Sequence, residues 1–85
     1  MTQQPGIRVQ LFGPYADAHG GAVLLVDAPE PTTAGEIIEL IRGASPSLAT
    51  LLPSARLAVN HRFARMDDTV QSGDEVALIG LVGGG

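Results

Sequence analysis

Apolar and polar residues alternate from Ile7 to Phe12, with Ile7, Val9 and Leu11 on one side, a pattern that predicts a strand with one buried face. Gly13 and Pro14 end it, and residues 15–21 read as an irregular connection with room for one helical turn. The apolar, β-branched run over 22–28 predicts a second strand, stopped by Pro29 and Pro31. The period then changes. Ile37, Leu40 and Ile41, with Ile38 beside them, recur at helical spacing. Thr33-Ala34-Gly35-Glu36 fits a capping box at the start of that helix, Arg42 suits its negative end, and Gly43 supplies a stop. Pro46, Leu48, Leu51 and Leu52 suggest a short helical turn plugging the core. Residues 56–60 form a third expected strand with Leu57 and Val59 inward, His61-Arg62 a turn, and Phe63 the start of a short fourth strand. Asp67-Asp68-Thr69 and Gln71-Ser72-Gly73-Asp74 are turn clusters, and residues 75–81 form the last strand. The order β-β-α-β-β-β predicts a single α+β unit, one helix packed across a mixed sheet.

Eighty-five residues leave no room for a second core. Hydrophobic content of 45% suits a packed globule, and with only 4% aromatic residues the core is expected to consist of Leu, Val, Ile and Ala. The absence of cysteine excludes disulfides, thiolate metal sites and cysteine nucleophiles. Net charge is −4, and the five basic residues are dispersed arginines, which argues against a nucleic-acid surface. With no lysine, the chain cannot accept a side-chain isopeptide bond. No segment approaches a membrane span and no signal peptide precedes the fold, so a cytoplasmic location is the expectation.

Catalytic equipment is sparse. His19 and His61 fall in expected loops without metal-ligand spacing, so no metal and no bound cofactor are expected. Asp67-Asp68 and Asp74-Glu75 are adjacent carboxylates that suit turns better than a cleft. The serines lack a nucleophile elbow, and no glycine run precedes a Lys-Ser/Thr pair. What remains is the terminus. The last strand runs into Gly83-Gly84-Gly85, a thin arm able to pass a channel too narrow for side chains. Joined to AMP, the Gly85 carboxylate would become an electrophile that sulfide or a persulfide could convert to a thiocarboxylate. Residues 81–85, extended, would carry it roughly 17 Å into a partner's pocket.

Ala58-Val59-Asn60, Asp68-Thr69-Val70 and Ser72-Gly73-Asp74-Glu75-Val76-Ala77-Leu78-Ile79, followed by the terminal diglycine, together with Pro31-Thr32-Thr33-x-Gly35-Glu36, resemble the MoaD/ThiS family of ubiquitin-like sulfur carriers over 7–85. The resemblance implies a β-grasp domain, here over 7–80, between the polar residues 1–6, read as a flexible N-terminus, and the glycine-rich Leu81, Val82, Gly83, Gly84 and Gly85, read as a flexible tail. It implies an ATP-using, E1-like adenylating enzyme and a sulfur donor system as partners. Leu11-Phe12-Gly13 and the segment 15–21 are more similar to the molybdopterin synthase small subunit, whose tail enters a large catalytic subunit in a heterotetramer. That subunit often ends Pro-Pro-Val-x-Gly-Gly, whereas this chain has Gly80-Leu81-Val82-Gly83-Gly84-Gly85 and lacks the stiffening of both prolines. Other destinations remain open: thiamine, cysteine, tRNA thiolation, a secondary metabolite, protein modification, or an interaction module with an inert tail.

Phe12 is off the parity of Ile7, Val9 and Leu11, and Ile79 is off that of Val76 and Leu78. With Phe63 they could form an exposed partner interface near the tail, as in the resembling subunit. The alternative is that Phe12 and Ile79 cover the core face.

Overall fold

Ile7–Leu11 forms strand β1 with its inward residues buried and Arg8 and Gln10 outside, as the alternation predicts. The computed structural model describes residues 6–29 and 31–80, so the expectations for residues 1–5 and for the tail residues Leu81 to Gly85 lie outside the described residues. The chain continues through α1 (Pro14–His19), β2 (Val23–Val26), β3 (Thr32–Thr33), α2 (Ala34–Ala44), α3 (Pro46–Ala49), a 3-10 turn (Leu52–Ser54), β4 (Ala55–Val59), β5 (Arg62–Phe63), β6 (Thr69–Val70) and β7 (Val76–Gly80).

Five strands make one sheet in the order β2-β1-β7-β4-β5. β1 and β7 are parallel neighbours and the other pairs are antiparallel, so the sheet is mixed as expected. Ile37, Ile38 and Ile41 of α2 are buried in one cluster with Val9, Leu11, Leu24, Val26, Leu57, Val76 and Leu78 from the sheet. Leu48 and Leu52 close that cluster, which places the plug where the apolar spacing put it.

The start of α2 leaves few backbone donors unmet. Thr33 is its N-cap, and its hydroxyl accepts from the Glu36 N–H at 3.2 Å. The Ala34 N–H donates to the Asp68 carbonyl at 3.0 Å and the Gly35 N–H to the Met66 carbonyl at 2.9 Å. Three of the four donors that a helix leaves open at its start are thus satisfied. Gly35 is favoured by closeness rather than by its dihedrals: a β-carbon there would lie 3.1 Å from the Met66 carbonyl oxygen, so that backbone would have to give by a few tenths of an ångström.

Several expectations need correction. The Glu36 carboxylate accepts from the Thr32 hydroxyl at 2.8 Å, so the reciprocal half of the expected capping box is replaced by a bond one residue earlier. Gly43 does not stop α2, which runs on to Ala44. The stop is Ser45, extended at φ −141° and ψ 98°, where the following Pro46 disfavours the helical region. Ser45 also caps α3 by accepting from the Leu48 N–H. The connection after β1 contains a six-residue helix, α1, and its Tyr15 joins the core, so the core is not purely aliphatic. Thr69, read as part of a turn, instead forms with Val70 a strand that pairs with Thr32–Thr33 as a second, two-stranded sheet.

Candidate functional site

The sheet's outer face is built by the residues that alternation turns away from α2. Gln10 pairs with Ala77, Ala77 with Ala58, and Ala58 with Phe63, so one row crosses four strands. The two alanines leave the middle of that row low. Phe12 and Ile79 rise on one side and Phe63 on the other, enclosing an apolar groove of about 400 Å³. His61 and Glu75 stand at its polar end, with His61 Nε2 2.6 Å from Glu75 Oε1. Both side chains are exposed, so the pair contributes little to stability. The Arg56 guanidinium lies 4.9 Å over the Phe63 ring.

Phe12 and Phe63 are each 53% exposed, and Ile79 is half-buried outside the core cluster. The structure therefore gathers all three on the outer face and excludes the alternative that Phe12 and Ile79 cover the core face. A second apolar depression, about 570 Å³, opens at the end of β7 between Tyr15, Leu51 and Gly80 and shares Phe12 and Ile79 with the groove. Tyr15, Gly80 and the two alanines were not legible as site residues in the sequence. Gly80 alone carried a signal, since it interrupts the inward series Val76, Leu78.

Asp68 and Asp74 act in turns, as read: their carboxylates accept from the N–H groups of Arg65 and Gln71, each at 2.9 Å. Among the described residues, no three His, Cys, Asp or Glu side chains gather to hold a metal. No helix among them is long and apolar enough to cross a membrane. The expected reactive atom, the carboxylate of Gly85, lies beyond the described residues, five positions after the end of β7.

This architecture is the ubiquitin-like β-grasp, an α+β fold. SAMP1 from Haloferax volcanii superposes with a TM-score of 0.81 at 25% identity, over 94% of this chain and 99% of that one. A candidate molybdopterin converting factor, subunit 1, from Pyrococcus furiosus gives a TM-score of 0.81 at 20% identity, over 92% and 99% of the two chains. Urm1 from Trypanosoma brucei gives 0.70 at 24% identity, over the whole of both chains.

The chain belongs to the ThiS family, which its sequence matches over residues 9–85. It is thus a small ubiquitin-like protein of the class that comprises sulfur carriers and protein modifiers, and membership implies an E1-like activating partner.

Proposed function

We propose that this protein carries sulfur on the carboxylate of Gly85. The observation behind this reading is that the ThiS match runs through the glycine end, to residue 85. In the first step a Gly85 carboxylate oxygen attacks the α-phosphorus of ATP on the E1-like enzyme, and pyrophosphate leaves. Sulfide then adds to the acyl carbon and expels AMP, leaving a thiocarboxylate. On transfer, the thiocarboxylate sulfur attacks an electrophilic carbon of the acceptor and displaces that carbon's leaving group, and water then cleaves the acyl–sulfur bond, which returns the Gly85 carboxylate and leaves the sulfur on the acceptor as a thiol. Leu81 and Val82 lead into the partner's channel, and Gly83 and Gly84 thread its narrow part, where a chain without side chains passes most easily.

The acceptor we favour is the pterin precursor of the molybdenum cofactor, with this chain as the small subunit of molybdopterin synthase beside a large catalytic subunit. Leu11-Phe12-Gly13 and the segment between β1 and β2 support that choice. The groove bounded by Phe12, Phe63 and Ile79 is the docking face, since an exposed apolar patch beside a reactive tail suits a transient partner. A second reading, protein modification, is favoured by the 25% identity to SAMP1, a small archaeal modifier protein. In that role the chain would be joined to lysines elsewhere and offer none itself.

Removing Gly85, or adding one residue after it, tests the proposal. Either change should abolish sulfur transfer and leave folding intact. Sulfur transfer that persists in either variant would overturn it.

A further inference from the structure

β7 reaches its end with an inward position left empty. Val76 and Leu78 fill the first two inward places, and Gly80 has the same parity without a side chain. The ring of Tyr15 occupies that place. A β-carbon at Gly80 would lie 2.9 Å from Tyr15 Cε2 and 3.0 Å from its hydroxyl oxygen, closer than van der Waals contact permits. Tyr15 is 5% exposed, and its hydroxyl donates to the Ser54 carbonyl at 3.3 Å. It therefore ties α1 to the residue just before β4. That strand holds Gly80 through the pair Ala55–Gly80, whereas the ladder with β1 has already ended at Leu11–Leu78.

We propose that Tyr15 is a positioning residue for the C-terminal tail. Its ring and its tether to Ser54 fix where Gly80 sits, and so the point from which the chain leaves the sheet toward Gly85. This inference rests on the carrier reading. Activation there requires the Gly85 carboxylate to meet the α-phosphorus of ATP five residues beyond Gly80, so the place where the strand releases the tail sets how often the reacting atom reaches it. In the resembling subunit, prolines at this point would stiffen the approach by locking φ. In this chain the stiffness comes from outside the strand, from an aromatic ring on α1. The same ring accounts for the glycine, because any β-carbon at position 80, a proline's included, would strike it.

The test is ATP–pyrophosphate exchange by the E1-like adenylating enzyme of the same organism, with the full chain as substrate. Tyr15→Leu should remain folded by circular dichroism, lose about tenfold in kcat, and change KM by less than about twofold, because Tyr15 lines the neighbouring depression and not the docking groove itself. Adding Gly80→Val, which fills the inward place from the strand itself, should restore kcat to within about threefold of the parent. A merely structural role would lower the folded fraction without moving kcat per folded molecule. A folded Tyr15→Leu with parental kcat, or with its loss confined to KM, would overturn the inference. If Tyr15→Leu does not fold, Tyr15→Phe removes only the tether: kcat reduced by about two- to threefold supports the inference, and parental kinetics overturns it. Deleting Gly85 in the same assay separates the two levels. Exchange that survives the deletion sinks the carrier reading. Exchange lost with Gly85 but unchanged in Tyr15→Leu sinks only the positioning role.

Discussion

Asn60 and Glu75 are joined by two hydrogen bonds: the Asn60 N–H donates to the Glu75 carbonyl at 2.7 Å, and the Glu75 N–H donates to Asn60 Oδ1 at 3.0 Å. The Asn60 amide also donates to Asp74 Oδ1 at 3.3 Å. The two sequence blocks that carried the family resemblance, Val59-Asn60 and Gly73-Asp74-Glu75, are thus one structural unit. They lock the β4–β5 turn against the start of β7 and thereby set Phe63 opposite Ile79. Removing both side-chain bonds with Asn60→Ala should cost about 1–2 kcal/mol, because the bonds are partly solvated. Urea unfolding would show this as a lower midpoint at unchanged slope.

Asn60 and His61 form a two-residue hairpin loop with φ of 53° and 70°. A primed turn of this kind favours glycine at its second central position. His61→Gly should therefore stabilise the domain by about 0.5–1 kcal/mol, since the exposed pair with Glu75 that it removes is worth less than the left-handed strain it relieves. A raised melting temperature would confirm the balance, and a lowered one would mean that the ion pair dominates.

Phe12→Asp and Phe63→Asp bear on the docking face. Both rings are largely exposed, so each variant should stay folded, with stability changed by about 1 kcal/mol or less. Loss of the Arg56–Phe63 contact falls within that range. Binding to the E1-like enzyme should nonetheless weaken by at least about tenfold, as expected when a central aromatic anchor is removed. Titration of the labelled chain measures it, and unaltered affinity in both variants would remove the outer face from the account.

The long elements were legible because each buries one face and so imposes a period. β1, α2, β4 and β7 all announced themselves through alternation or helical spacing. The pair β3–β6 did not, because two residues cannot show a period and their pairing is set by the chain between them. α1 is six residues long, with only Tyr15 buried, which leaves no stripe to read. The error at Gly43 has a simple cause. Glycine can end a helix, but here the extended Ser45 ahead of Pro46 does so two residues later.

The site divides in the same way. The parity of Phe12 and Ile79 was visible, yet only the sheet order places Phe63 across from them, on the far side of Ala58 and Ala77. The contact of Tyr15 with Gly80 joins residues 65 positions apart (80 − 15) and follows from the placement of α1. No local pattern encodes it.

The central claim, sulfur on Gly85, is tested most directly by the mass of the C-terminal peptide from protein purified out of its own host. The peptide must be chosen with care. Cleavage at arginine leaves residues 66–85 together, and exposed Met66 gains on oxidation nearly the same mass as oxygen replaced by sulfur. Cleavage after Glu75 instead releases residues 76–85, which contain no methionine. The carrier account predicts that this peptide gains the difference between one sulfur and one oxygen atom, and that iodoacetamide then alkylates it. A peptide found only at its unmodified mass, or only joined to lysines of other proteins, would contradict it.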